Sequence, residues 1–380
     1  LLGLYIHVPF CSAICNYCNF NRGLFDADLK ARYVDALVAE ITTHQSPIPN
    51  RQSPRCAADT IYFGGGTPSL LEPGEIARVI RACEEAFAVA DDREVTLEAN
   101  PESVSASRLA AYRDAGVNRV SFGVQSFRDD ELRRLSRLHG AERAREAFAE
   151  ARAAGFDNVS LDLMMWLPGQ SVAEWLESVD AAVALAPDHL SLYMLELYPN
   201  APLRDTMARG DWSQAPDEDV ATMYLEGMAR LEDASLAQYE ISNAARPARR
   251  SRHNLKYWAD GEWCGFGCGA HSTRGASRWK NIASTAEYID AIRRGVSAAV
   301  DVRHRSPAEQ LGDALFTGLR LVDGIDVNAI QSRYGVDVWC RFGADLERFV
   351  EAGCLRREGP RLALTRQGML LAHEVMTVFV

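Results

Sequence analysis

Six short runs rich in β-branched and aromatic residues recur through the first half of the chain. They lie at 4–8 (LYIHV), 59–63 (DTIYF), 94–98 (EVTLE), 118–123 (NRVSFG), 158–164 (VSLDLMM) and 189–195 (HLSLYML). Amphipathic helical patterns fall between them at about 28–45, 74–88, 106–115, 141–154 and 172–186. Strands separated by helices of this length read as repeated βα units around a parallel sheet. Six units fall short of the eight that close a full barrel. The fold class is therefore α/β, with a partial (β/α)6 TIM-like barrel preferred to a doubly wound sheet.

The second half is patterned differently. A long helix is expected near 216–232, followed by YEISNAARPARRSRHNLKYW at 239–258. From about 306, helical patterns at 306–321, 326–334 and 341–352 precede GCLRREGPRLALT, which reads as a two-stranded wing, and a last helix near 366–377. That order is winged-helix-like and mostly helical. At 380 residues the chain exceeds one typical core, so several domains are expected, with divisions at 1–200, 201–300 and 301–380.

Charge and cysteine usage narrow the function. The 41 basic and 52 acidic residues give a formal charge of −11, the wrong sign for a generic polyanion binder, so no nucleic acid partner is expected. Nine cysteines are an odd number without a secreted-style framework, which favours a reducing, cytoplasmic setting. No apolar run reaches the roughly 18–20 residues that span a bilayer, and peripheral membrane contact is left open. The first residues lack the basic flank and cleavage site of a signal peptide, so export is not expected. Leu1 is no initiator, which leaves the natural start open.

Polar and Gly-rich segments fall at the C-terminal ends of the expected strands: Tyr5 before a cysteine loop, then YFGGGTPS, LEANPE and SFGVQSF, with Asp162 in the fifth strand and Glu196 after the sixth. Sites in parallel α/β folds assemble from loops at those ends. Cys11, Cys15 and Cys18 form C-x3-C-x2-C. Three thiolates are one fewer than a structural zinc site or a fully ligated four-iron cluster takes. Asn16, Asn19 and Asn21 are poor ligands and His7 lies back in the strand, so no fourth donor is close. Three-cysteine ligation of a four-iron cluster would leave one iron open, whereas the plain alternative is three thiols packed as small hydrophobes.

The cysteine spacing, with Tyr17 before the third cysteine, resembles the signature of the radical S-adenosylmethionine (SAM) enzymes. In that superfamily the open iron chelates the amino and carboxylate groups of SAM, and electron transfer cleaves the sulfonium to a 5′-deoxyadenosyl radical. YIHVPFC, YFGGGTPS, EANPE, GVQSF, DLMMWLPGQ, YEISN and HNLKYW…GFGCGAHS together resemble the oxygen-independent coproporphyrinogen oxidase family. Within it they are most similar to the HemW-type heme chaperones, over nearly the whole chain. The resemblance implies a [4Fe-4S] cluster on Cys11, Cys15 and Cys18. It implies SAM contacts at Tyr5, Tyr17, Gly65, Gly66, Thr67, Glu98, Gln125, Arg137 and Asp162. The residue chemistry is consistent with several of these. Glycines 64–66 let a ligand approach the backbone without a Cβ in the way, Glu98 and Asp162 suit an ammonium or a ribose diol, and Arg137 suits a carboxylate. For Arg137 the plain alternative is a helix-surface ion pair.

Two departures separate the branches of the family. True coproporphyrinogen dehydrogenases carry a further cysteine where this chain has Phe20, and a long N-terminal arm where only four residues precede Tyr5. The chaperone branch carries the motif HNLKYW, here 253–258, linked with heme binding. The resemblance makes His253 a heme axial ligand, Tyr257 and Trp258 porphyrin-facing surface, and Arg246, Arg249, Arg250 and Arg252 partners for propionates. The plain alternatives are a packed core for His253 and the aromatics, and a solvated loop for the arginines. Trp166 stands where the family usually has Gly, Cys268 where it has Pro, Cys264 where it has an aliphatic, and Ala245 where an aromatic is common. Trp166 thereby puts the shape of a substrate pocket in question.

The implied function is heme carriage to a respiratory-type acceptor, with heme, SAM and the cluster as cofactors and a flavodoxin or ferredoxin as electron donor. Porphyrinogen oxidase activity is not expected. The alternatives are a catalytic radical SAM enzyme, whether porphyrinogen decarboxylase, methyltransferase or cyclopropanase, and a structural zinc protein.

Overall fold

The computed structural model describes residues 1–43, 55–199, 201–210 and 212–380. Strand β1 (Leu2–Val8) shows the alternation that organises the molecule. Leu4, Ile6 and Val8 are fully buried on one face, while Tyr5 and His7 point the other way and touch each other, Tyr5 OH to His7 Nδ1 at 3.1 Å. The pattern repeats through β2 (Ala57–Gly65), β3 (Ala88–Ala99), β4 (Arg119–Gln125), β5 (Val159–Met165) and β6 (His189–Met194). Ile61, Phe63, Val95, Leu97, Val120, Phe122, Leu161 and Leu163 join the helix-facing core. Thr60, Glu98, Arg119, Asp162 and His189 fall on the opposite face in the same register. The six strands are parallel and adjacent in chain order.

Helices α1 (Ala27–Thr42), α2 (Pro73–Ala86), α3 (Ala106–Asp114), α4 (Asp129–Arg134), α5 (Ala141–Ala153) and α6 (Val172–Ala184) connect them. Their starts are written locally: Asp26, Ser105 and Ser171 accept from the backbone of the first turn, and Glu72 begins a capping box with Glu75. Residues 44 and 45, the end of the first expected helix, lie outside the described residues.

The sheet does not stop at six strands. Beyond α7 (Pro202–Gly210) and α8 (Asp217–Asp233), β7 (Ala237–Glu240) and β8 (Asn243–Ala245) add antiparallel to β6. After α9 (Arg252–Trp258), β9 (Trp263–Phe266) pairs parallel with the free edge of β1, and β10 (His271–Arg274), β11 (Ser277–Asn281) and β12 (Ala299–His304) continue antiparallel. Among the described residues the sheet has twelve strands. Most of the added strands are short, and several carry Ser, Gly, Asn or Arg, so period-two hydrophobicity does not announce them.

Past α10 (Thr285–Arg293), helices α11 (Pro307–Gly318), α12 (Val327–Tyr334) and α13 (Val338–Glu351) precede a hairpin, Leu355–Glu358 with Arg361–Leu364. The expected two-stranded wing gains a third strand, Ile325–Asp326. The expected last helix is two short ones, Arg366–Leu370 and Ala372–Met376. This winged-helix-like unit is joined to the barrel by Arg320, which bonds the fully buried Glu240 at 3.0 Å and lies 4.3 Å over the Trp258 ring. Among the described residues no helix is long and apolar enough to cross a membrane.

Candidate metal and cofactor site at the barrel mouth

The cysteine loop leaves the C-terminal end of β1 and is tied down throughout. Short strands Phe10–Cys11 and Gly23–Leu24 pair at its neck. The Gly66 and Thr67 amides donate to Val8 O and Phe10 O, both at 2.7 Å, stitching it to the glycine turn after β2. Within the loop Cys18 N donates to Cys15 O at 3.2 Å. Asn16 Nδ2 reaches Arg134 O at 2.8 Å, and Asn21 Nδ2 reaches Cys268 O and Ala283 O. Asn16 and Asn21 thus fasten the loop and are not extra ligands.

Two glycines are forced by contact. Gly65 has φ +113, and a Cβ there would sit 2.5 Å from the His7 ring. At Gly66 a Cβ would meet Phe10 O at 2.7 Å and Cys11 Sγ at 3.1 Å. The GGG run therefore lets the second turn lie directly against the cysteine loop.

A cavity of about 440 Å³ opens here. Its lining brings together Cys11, Cys15 and Cys18 with Tyr17, Gly65, Gly66 and Thr67, and with Glu98, Gln125, Arg137 and Asp162. Of the expected SAM and cluster residues Tyr5 alone does not line it, and neither does His253 nor the rest of the expected heme region. The Tyr5 hydroxyl is engaged with His7. Sequence reasoning missed Tyr62, Asn100, Ser121, Tyr193 and Met194, which also line it. Tyr62 and Ser121 could have been found by counting two residues along β2 and β4 from recognised inward positions.

Burial pushes the Glu98 carboxyl up to about 7, with the Asp162 charge adding to the effect, while Tyr62 OH at 2.7 Å and Gly65 N at 3.2 Å donate to it and oppose the shift. Asp162 is also raised by burial, against hydrogen bonds from Ser191 and Ser121. Arg137 is held by Nη2, which donates to Asn100 Oδ1 at 2.8 Å and Gly123 O at 2.6 Å, so it makes no helix-surface ion pair. Its Nη1 donates to Cys15 Sγ at 3.5 Å. Its Nε is buried without a partner among the described residues, as is Arg22 Nε, also from the cavity lining.

Among the described residues no three His, Cys, Asp or Glu side chains converge tightly enough to hold a single metal ion. One zinc needs every sulfur within about 2.3 Å of one point, whereas a multi-iron cluster is a wider body ligated by soft thiolates. Three thiols around one cavity, a glycine cradle and two orphaned guanidinium nitrogens fit a thiolate-ligated cluster beside a small ligand that carries a carboxylate.

His253 sits below this cavity, in the barrel interior. It is fully buried, shares hydrogen bonds with Thr60 Oγ1 at 2.8 Å and Tyr257 OH at 2.9 Å, and stacks on Tyr62 with centroids 5.0 Å apart. Burial, aided by the Lys256 charge, pushes its pKa down to about 3. An axial heme ligand needs a free ring nitrogen and an open face, and His253 has neither here. The plain alternative of a packed, hydrogen-bonded core histidine describes it. The arginine run is likewise engaged: Arg246 with Pro187 O, Arg249 with Asp157, Arg250 with Asp323, and Arg252 with Asp59 and Asp92.

Trp166 does not line the cavity either. It has φ +65, the left-handed region that favours the family's glycine, and its indole N–H donates to Ala215 O at 2.8 Å. Cys264 and Cys268 are fully buried, and burial raises both thiols, Cys264 to about 12.

The chain is 35% identical to the heme chaperone HemW of Bacillus subtilis over 99% of its own length and 98% of that protein's. It belongs to the HemW family. Identity to HemW of Mycobacterium tuberculosis is 39%, over 98% of this chain and 93% of that one. A mitochondrial radical S-adenosyl methionine domain-containing protein 1 of Bos taurus is 37% identical, over 98% of this chain and 86% of that one. The Radical SAM superfamily pattern matches residues 5–182, and the HemN C-terminal domain pattern matches 306–371. The structure of coproporphyrinogen III oxidase (HemN) from Escherichia coli superposes with a TM-score of 0.84, covering 100% of this chain and 89% of that one at 23% identity. That likeness establishes a shared fold. Membership of the radical SAM superfamily implies SAM and a [4Fe-4S] cluster.

Proposed function

We propose that the protein is a heme carrier that holds a [4Fe-4S] cluster on Cys11, Cys15 and Cys18, binds SAM beside it, and delivers heme to an acceptor protein. The observation that carries this reading is the near full-length identity to proteins named heme chaperone. Residues 1–200 would house cluster and SAM, 201–300 would close the barrel, and 301–380 would form the docked tail.

When bound, the cluster supplies single electrons at low potential. The residues around it bind and orient. The glycine cradle would bring backbone N–H and C=O groups within reach of the SAM methionyl end, the unpartnered Arg137 Nε would take its carboxylate, and Glu98 and Asp162 would accept from ammonium or ribose hydroxyls. Tyr17 packs beside Cys15 and limits water there.

Heme, as cargo, is a wide apolar plate that needs open apolar surface and an iron ligand. Phe20 (64% exposed), Met194 (47%) and Ile14 (42%) line the cavity opening. Their exposure supports heme docking across the barrel mouth, with the Met194 thioether as a ligand of known type. A flavodoxin or ferredoxin as electron donor, a respiratory-type acceptor and a cytoplasmic setting complete the proposal.

Anaerobically reconstituted protein should bind about one heme per chain, with a Soret band that changes in Met194→Ala and an affinity that falls in Phe20→Ser. It should not decarboxylate coproporphyrinogen with SAM and reductant present. Multiple-turnover decarboxylation would overturn the carrier reading in favour of a catalytic enzyme.

A further inference from the structure

Arg137 is positioned to do more than meet a ligand's carboxylate. Its three nitrogens divide their work. Nη2 is fixed by Asn100 Oδ1 and Gly123 O, Nη1 points at Cys15 Sγ from 3.5 Å, and Nε is left over. The two Nη2 bonds make the placement of Nη1 independent of any bound molecule. The backbone adds to this: Arg137 N donates to Leu132 O at 2.9 Å, directly after Ser136 in the left-handed region at φ +55. Asn100 is braced in turn, since its Nδ2 donates to Thr67 Oγ1 at 3.2 Å, and the Thr67 hydroxyl is a hydrogen-bond partner of Cys11. One polar chain, Arg137–Asn100–Thr67, therefore runs between two of the three thiols.

We infer that Arg137 is a positioning residue for the cluster itself, setting its reduction potential through the N–H···S contact to Cys15. The inference rests on the proposal that Cys11, Cys15 and Cys18 hold the cluster. A cationic donor aimed at a ligating thiolate withdraws electron density and stabilises the reduced cluster, whose extra negative charge it faces. Reduction potentials of such clusters are set in part by hydrogen bonds to sulfur and by burial. Arg137 is held in the cavity wall by hydrogen bonds to protein atoms and is only partly exposed, so its charge is less screened than on the surface. Because Nε is a different nitrogen, the carboxylate of SAM and the thiolate of Cys15 can be served at once. SAM binding and electron affinity thus share one side chain.

The test is a potentiometric EPR titration of the reconstituted, SAM-free protein, with iron and sulfide content measured on the same samples. Arg137→Gln should lower the potential, so that at a fixed solution potential the reduced-to-oxidised ratio falls at least tenfold, which is about 59 mV for one electron. Arg137→Lys, which keeps the charge but not the fork, should fall between the two. Asn100→Leu, which frees Nη2 and leaves the arginine, should lower the ratio by a smaller factor. If Arg137→Gln does not assemble a cluster, the other two variants decide. Intact clusters with unchanged potentials would overturn the inference while leaving the cluster reading standing. A wild-type protein that assembles no cluster would overturn both.

Discussion

Replacing His253 by Ala separates a heme ligand from a core residue. The ring is fully buried between Tyr62 and Tyr257, and a Cβ added at Gly3 would lie only 3.1 Å from its Cε1, so the site is tightly packed. Removing it leaves a cavity and strips Thr60 Oγ1 of its imidazole partner at a fully buried position. An orphaned buried polar group costs about 1–3 kcal/mol, and aromatic truncation in a core about 3–5 kcal/mol. The terms overlap, which puts the expected loss at about 3–5 kcal/mol, a large share of a typical total of 5–15 kcal/mol. Urea denaturation of the heme-free protein should show this loss, with His253→Gln milder because an amide can still bond Thr60. Heme titrated per folded chain should then keep the wild-type Soret position. A His253→Ala protein as stable as wild type, with a displaced Soret band, would refute the reasoning and restore His253 as ligand.

Acid should destabilise the protein through the same residue. Its folded pKa, about 3, lies below the ordinary 6.5, so its contribution is complete above pH 6.5 and declines as pH falls toward 3. The slope reaches about 1.4 kcal/mol per pH unit, and His189, depressed by burial and the Arg119 charge, has the same sign; a pH series of urea melts checks both. Glu98 works oppositely: raised to about 7, it favours the fold below pH 4.5 and withdraws that support as pH rises through 7. Glu98→Gln should therefore be more stable than wild type at pH 8. Equilibrium dialysis should find that SAM affinity drops below about pH 7 in wild type and is weak and pH-independent in Glu98→Gln. Gly66→Ala should fold yet take up far less iron and sulfide on reconstitution, because its methyl group displaces the Phe10 carbonyl and Cys11. Cys11→Ala, Cys15→Ala and Cys18→Ala should each abolish the thiolate-to-iron absorbance, and a triple variant with full iron and sulfide would refute the cluster assignment.

The barrel was legible because its signals are local. Period-two burial in β1 to β6 and capped helices between them are written residue by residue, and polar residues at strand ends converge once the strands are parallel. The cysteine loop was legible for the same reason. What lay hidden depends on partners far away in the chain. Trp263–Phe266 becomes a strand because β1 offers it an edge. The family resemblance makes His253 a heme ligand beside a basic segment, with a packed core as the alternative. Its ring nitrogens are taken up by Thr60 and Tyr257, its amide donates to Glu94 at 3.1 Å, and the neighbouring arginines find Asp59, Asp92, Asp157 and Asp323. Those carboxylates sit 73 to 193 positions along the chain from the arginines they pair with, and no spacing rule reaches that far.

Strand β1 is paired along both edges, to β2 and to β9, and none of Cys11, Cys15 and Cys18 belongs to the hydrophobic core, all being partly exposed beside the cavity. The strand pairing and the core therefore rest on contacts that do not involve these cysteines, unlike a zinc finger whose metal is its folding energy. Once the cysteines are taken as cluster ligands, maturation would run in a fixed order: the scaffold would form first and offer a finished socket to the iron and sulfide. Iron starvation would accumulate a folded, unloaded reservoir of the protein and not a pool of unfolded chains for proteases to clear.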